Sequence, residues 1–467
     1  MSVYLSHNTF LFHMYCQQIR NEDEQNYSII LFPDPKDNHK DQNGARDFYI
    51  ACQDNNITAA KQLISDGVNW KLAENEGRSP LGVASYLGHE DIVTFLVKLG
   101  ADVNQQSPHG FGPLHTAAQG GQLNISRILI ENGADLELCD KTGRTPFLMA
   151  SEYNHLDVVK FLLEKGCNWK SRENSGRSAL WIASFQGNNE IVKFLIAMGA
   201  DVNQGDDTEW EPLHVAAQEG RVETTRILLD QGADPNLKNS DGQTPFYVAC
   251  RKNHLQVAKL LYGKGCDWKL VDNEGRSALW TVSFEGFVEI VKFLIEVGAD
   301  VNLPDFGGFG PLHAAAQEGR LGTLHILIEH GADINSVDKY GASTFYMSCQ
   351  YGHLDVVRYL HAQDCNWKLA DIGGRSPLWI ASFEGNEEIV KFLILSGAEV
   401  NQQDEEGFAP LHMAAQEGHL ETVKLLTTSG ANLNLTTVQN ATPFFMACSD
   451  NHLDVAHFLY EKGCNWK

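Results

Sequence analysis

The apolar positions of this chain fall into short groups that recur at fixed spacing. In the stretch LDVVKFLLEKG, Leu156, Val159, Phe161, Leu162 and Leu163 gather mainly on one helical face, and Gly166 closes the run as a C-cap. Ahead of such runs stands a turn, for example RSPL, GPLH or RTPF, followed by small residues such as AAQEG. Proline at the start of that first helix suits its fixed φ and its missing N–H. The two-helix pattern repeats every 33 residues, with turn glycines at Gly77, Gly110, Gly143 and Gly176, and then from Gly242 through Gly275, Gly308, Gly341 and Gly374 to Gly407. Glu209 and Asn440 interrupt the series, and Gly44 extends it towards the N-terminus. Two short helices and a tight turn cannot bury their apolar faces alone, so the units must stack. The predicted fold is an all-α solenoid of thirteen units: 41–73, 74–106, 107–139, 140–172, 173–205, 206–238, 239–271, 272–304, 305–337, 338–370, 371–403, 404–436 and 437–467. Residues 1–40 do not fit the repeat; Tyr27–Phe32 reads as a strand or an apolar plug against the first unit, and a polar linker follows it.

A second period of 99 residues lies over the first. GRSPLGVAS, GRSALWIAS, GRSALWTVS and GRSPLWIAS begin at Gly77, Gly176, Gly275 and Gly374, so three unit types alternate four times after one extra copy of the third. The first type carries Arg78, Arg177, Arg276 or Arg375 after its glycine, and the second carries Phe111, Trp210, Phe309 or Phe408. The third closes on Cys167–Lys170, Cys266–Lys269, Cys365–Lys368 and Cys464–Lys467. Block duplication accounts for this period without selection for function. The functional alternative is a ladder of binding stations about 30 Å apart.

The turns Gly112–His115, Glu211–His214, Gly310–His313 and Ala409–His412, with closings such as Gly199–Asn203 and Gly298–Asn302, resemble the ankyrin repeat family over residues 41–467. The resemblance implies stacked helix–turn–helix units with short hairpin fingers projecting towards a concave groove. At ordinary helix spacing the array would be on the order of 100 Å long. It also implies that His115, His214, His313 and His412 orient the turns through hydrogen bonds. His155, His254, His353 and His452, which open second helices, are structural by the same resemblance. Asn104, Asn203, Asn302, Asn335 and Asn401 each follow a leucine eight residues earlier (Leu96, Leu195, Leu294, Leu327 and Leu393). That spacing is similar to the closing accepted by the oxygen-dependent asparaginyl hydroxylase of animals, which would make them modification sites.

Composition narrows the function. With 43% hydrophobic residues, 10% aromatic, and 14 Pro to 41 Gly, the chain is globular rather than disordered or collagen-like. Its 36 Lys+Arg against 60 Asp+Glu give a net charge of −24, which disfavours nucleic acid and favours basic protein partners. No stretch reaches 18 apolar residues, so direct membrane insertion is not expected. The first 20 residues lack a basic start and interrupt their apolar run with Ser6, His7, Asn8 and His13, so no secretory leader is expected. Of the ten Cys, Cys52, Cys250, Cys349 and Cys448 take the small-residue slot of the first helix, and Cys167, Cys266, Cys365 and Cys464 replace the alanine of the closing. With no CxxC pair they read as structural thiols in a reducing, cytoplasmic or nuclear compartment, with no metal site. No phosphate loop, HExxH or nucleophile elbow occurs, so neither a cofactor nor an enzymatic activity is expected.

Function must then come from the surface. In families of this kind, partners contact the finger tips and the ends of the first helices. The finger series is Arg78, Phe111, Arg177, Trp210, Arg276, Phe309, Arg375 and Phe408. The helix ends read Phe185-Gln186, Gln218-Glu219, Arg251-Lys252, Phe284-Glu285, Gln317-Glu318, Gln350-Tyr351, Phe383-Glu384 and Gln416-Glu417. Aromatic residues beside carboxylates suit a Lys- or Arg-bearing segment, which centres the expected groove on residues 209–420. For the Phe series, packing against the next unit is the plain alternative. Packing is the expectation for Trp181, Trp280 and Trp379, and for Trp169, Trp268, Trp367 and Trp466. The leading expectation is a non-catalytic protein-interaction scaffold. The other classes are the recognition arm of a larger enzyme, such as a ubiquitin ligase or kinase, and an adaptor between membrane proteins and the cytoskeleton. The apolar helix HLDVAHFLY, with no polar cap after it, favours continuation into a longer protein.

Overall fold

A computed structural model describes residues 44–72 and 78–465. Tyr27–Phe32 and Trp466 lie outside these residues. The described chain forms 26 α-helices in thirteen consecutive pairs, from Ala45–Gln53 with Ile57–Ser65 to Pro443–Ser449 with Leu453–Glu461, plus a 3₁₀ turn at Trp70–Leu72. The all-α solenoid is met: among the described residues the only β pairing outside helices is the isolated bridges Arg172–Ser178 and Val337–Ser343 in the fingers. None of these helices is long and apolar enough to cross a membrane.

Each helix packs on its own partner and on its counterpart in the next unit, and the row of first helices is the more closely packed of the two. Small residues such as Ala216, Ala217 and Ala315 let the first helices approach, whereas bulkier residues hold the second helices apart. The array therefore curves with its first helices on the inner side. In Leu156–Glu164 the buried stripe is Val158, Val159, Phe161 and Leu162, while Leu156 and Leu163 are half-buried at its edges. Gly166 stands one residue past the cap residue Lys165, at φ 86°, and returns its N–H to Leu163 O at 2.9 Å.

Hydroxyl-bearing turns cap the first helices locally: Ser178, Ser277 and Ser376 each accept the N–H of the tryptophan three residues on. Where the cap residue has no hydroxyl, a buried histidine does the work. His115 Nδ1 accepts the Gly112 N–H at 3.2 Å, and its Nε2–H donates to Arg144 O of the next unit at 3.0 Å. His214 repeats the arrangement with Glu211 and Gln243. His313 accepts from Gly310 and donates to Ser336 O of its own unit, and His412 accepts from Ala409 and shares its Nε2–H between Leu435 O of its own unit and Ala441 O of the next. All four rings are fully buried. Burial lowers the pKa of His115, and pushes His313 and His412 down to about 4, so these rings are neutral.

Two further ladders recur along the array. The residue that opens a second helix reaches back to the end of the previous first helix: His155 Nε2 bonds Gln119 O at 2.9 Å, and His254 and His353 bond Gln218 O and Gln317 O. Arg221, Arg320 and Asn386 make the same reach with different side chains. The closing asparagines form the other ladder: the amides of Asn104, Asn302 and Asn401 donate to the Gly133, Gly331 and Gly430 carbonyls, and their oxygens accept the N–H of Asp135, Asp333 and Asn432. Asn203 and Asn335 accept from Asp234 and Asn366.

The buried cysteines carry protonated thiols, with burial pushing Cys52, Cys167 and Cys266 up to about 12. Cys448 departs from its expected buried slot and is exposed, because no described unit packs beyond its helix.

Turn glycines sit in the left-handed region, and Glu209 and Asn440 adopt it too, each at φ 61°. Replacing Glu209 with glycine is expected to stabilise the array by about 1 kcal/mol in urea denaturation, because the Cβ penalty disappears; an unchanged or lower midpoint would refute strain at this turn. The buried histidines set a pH dependence. Their folded pKa lies below the ordinary 6.5, so as pH falls the unfolded chain takes up protons first; stability is full above about 6.5 and drains towards pH 4. The His313→Asn/His412→Asn double variant should be less stable at pH 7.5 by about 2 kcal/mol or more, yet lose less between pH 7 and 5 than the wild type. Parallel pH slopes for the two proteins would exclude these rings as the titrating groups.

Candidate functional site

The inner side carries the ends of the first helices, and the finger turns stand beside them. Its chemistry is built on a stack that recurs in the first-type units. Trp181, Trp280 and Trp379 are 4%, 5% and 2% exposed, as their packing role requires. Phe185, Phe284 and Phe383 lie near-parallel to these rings, each 5.7 Å between centroids, at 6°, 9° and 13°. The spacing of four residues puts each pair one above the other on its helix. One face of each Phe is therefore taken by its own helix, and the residue as a whole is half-buried at the groove.

The arginines differ from the picture of outward finger tips. Arg177, Arg276 and Arg375 fold back over the same tryptophans, 4.5, 5.6 and 5.3 Å from the ring centroids. Acidic residues four positions earlier hold them there. Arg276 Nε pairs with Asp272 at 2.7 Å, and Arg177 with Glu173 at 3.3 Å and Asp206 at 3.6 Å. Arg276 is 8% exposed and belongs to a buried network, in which Tyr247 OH donates to Asp272 at 2.8 Å and bonds Thr281 at 2.6 Å. Reading the sequence for surface chemistry missed this network; its signal is the Asp-x-x-x-Arg spacing within one finger.

Trp210, Phe309 and Phe408 are half-buried and set edge-on to His214, His313 and His412, 5.8, 5.9 and 6.1 Å away, shielding the bonded imidazoles. Gln317 is 3% exposed, with its carbonyl bonded to His353, and so lies inside rather than on the groove. Glu219, Glu285 and Glu318 are half-buried, whereas Glu384 and Glu417 are exposed residues. Glu318 lies 3.7 Å from Arg320, and Gln416 donates to Glu417 at 3.1 Å.

Crowding of the Glu384 carboxyl by surrounding protein, with the negative charge of Glu417, pushes its pKa up to about 7, although the residue as a whole is exposed. The Glu417 charge thus adds to the crowding at Glu384, the residue after Phe383. Arg251 and Lys252 interrupt the acidic run one unit before Phe284 and Glu285, so the continuous acidic and aromatic stretch spans 284–417. Among the described residues no group of three or more His, Cys, Asp or Glu could hold a metal ion. The five closing asparagines form the inter-unit ladder described above, away from the first-helix ends.

No curated relative matches the sequence. A family model of ankyrin repeats (3 copies) matches residues 13–107, 105–173, 166–239, 225–305, 246–338, 312–404 and 378–467. It begins earlier than the periodicity at residue 41, and together with the thirteen stacked helix pairs it places this chain in the ankyrin repeat family.

Proposed function

We propose that this chain is a non-catalytic protein-interaction scaffold that takes a basic, extended partner segment along its concave side, between Phe284 and Glu417. Arrays of this family generally serve as protein-interaction modules. The observation that supports the finer reading is a Glu384 carboxyl crowded by protein and sensing the Glu417 charge, next in the chain to the half-buried, stacked Phe383. A Lys or Arg side chain laid there neutralises the repulsion and meets an aromatic face. Phe284 with Glu285, and Gln317-Glu318, offer the same chemistry at the preceding units. Mechanistically the scaffold contributes preorganisation: its helices already hold the groove residues, so binding orders only the partner.

A fluorescent peptide alternating Lys and small residues should bind the wild-type chain and lose affinity with added salt. The combined Phe284→Ala, Phe383→Ala, Glu318→Gln and Glu417→Gln variant should abolish that binding while retaining helicity and staying within about 2 kcal/mol of wild-type stability. Undiminished binding would move the site elsewhere. Because Glu384 is ionised only above about pH 7, affinity should weaken by up to about ten-fold from pH 8 to pH 6, and Glu384→Gln should flatten that dependence. A Glu384→Gln variant that keeps the wild-type pH profile would remove Glu384 from the site.

A further inference from the structure

Three first-type units fill one position on the inner side with their own tryptophan: Arg177–Trp181–Phe185, Arg276–Trp280–Phe284 and Arg375–Trp379–Phe383. The first such unit reads Arg78, Gly82 and Tyr86 at those three positions. A cavity is lined by all three of these residues together with Phe111, Thr116 and Gln119. The backbone does not require this glycine. Its φ is outside the left-handed region, and an added Cβ would meet only Ser79 Oγ, at an ordinary 3.4 Å. Glycine inside a helix is also less stable than alanine. Its effect here is to leave a socket whose cation and aromatic ring match those that elsewhere enclose a tryptophan.

We propose that this socket receives the indole of a tryptophan from a partner polypeptide lying along the inner side. The guest ring takes the place of Trp181, between the Arg78 guanidinium and the Tyr86 ring. Its N–H has an acceptor of matching kind. Trp181 Nε1 donates to Trp210 O at 2.8 Å while that carbonyl also accepts from Asp206 N, and the equivalent Phe111 O already accepts from Ser107 N at 2.9 Å. Among the described residues the N–H groups of Trp280 and Trp379 have no hydrogen-bond partner, so the stack is the shared element and the hydrogen bond is an addition. A polypeptide is the fitting source because Tyr86 and Gln119 occupy the first-helix ends that continue into Phe185-Gln186 and Gln218-Glu219. None of the lining residues belongs to the acidic stretch 284–417, so this site and the basic-segment site stand or fall separately.

The test uses the full chain and blocked tripeptides, followed by saturation-transfer NMR and calorimetry. Acetyl-Gly-Trp-Gly-amide should bind at least about ten-fold more tightly than acetyl-Gly-Leu-Gly-amide. Gly82→Trp, which gives this unit the residue of its three sisters, should lose that binding with helicity and melting temperature kept or raised. Gly82→Ala, which leaves the socket open, should retain it. If Gly82→Trp fails to fold, Gly82→Leu supplies the plugged variant. The proposal is overturned if the wild type shows no Trp-over-Leu preference, if the plugged variant binds as the wild type does, or if free indole binds as tightly as the tripeptide.

Discussion

Stacking helix pairs leaves a backbone carbonyl or N–H buried at each junction, and such groups must find partners away from water. This protein finds them in the neighbouring unit. His115 and His214 each take an N–H from their own unit and give their own N–H to the next. Residues such as His155 that open second helices reach back to the previous first helix, and closing asparagines such as Asn104 tie the loops together. Apolar burial drives the stacking, but it is non-directional. Directional bonds of this kind fix register, because sliding one unit past another would orphan the polar groups they pair.

That constraint also shapes the surface. Since the helix ends are held by bonds to the next unit, their side chains are presented in fixed positions, and a stack begun inside by a tryptophan ends outside on a phenylalanine. The arginine of each finger completes the stack from the other side and is anchored by an acidic residue four positions earlier. Interior packing and surface chemistry are therefore one construction in the first-type units. A change at Trp280 would alter the presentation of Phe284 as well as the core.

Not every polar group in this construction is satisfied. Trp280 Nε1 and Trp379 Nε1 are buried without hydrogen-bond partners among the described residues, while Trp181 finds the Trp210 carbonyl. The indole keeps its place in all three because the two flanking groups hold its faces. At Glu384, crowding of the carboxyl by surrounding protein and the like charge of Glu417 act together. Both features concentrate along the inner side, whereas the second-helix face is dominated by exposed Lys–Glu pairs such as Lys193–Glu190 and Lys292–Glu289, which contribute little to stability.

The all-α repeating unit, the histidine role and the packing of Trp181, Trp280 and Trp379 were legible in the sequence, because each rests on residues a few positions apart within one repeating unit. Local spacing states which face of a helix is apolar and where a turn needs glycine, even where Glu209 takes that place. Other outcomes depended on contacts between units about 33 residues apart, which periodicity alone does not display. Arg276 reads as a finger tip in sequence and becomes a buried ion-pair partner because Asp272 and the Trp280 ring surround it. Gln317 reads as a groove residue and lies inside. Cys448 occupies a core slot by alignment with its sisters and is exposed, because burial is conferred by the next unit and not by the slot itself. The sequence alone thus determined the repeating unit. Tertiary structure decided which side chains reach the groove, because exposure at each position is set by what the adjacent unit places against it.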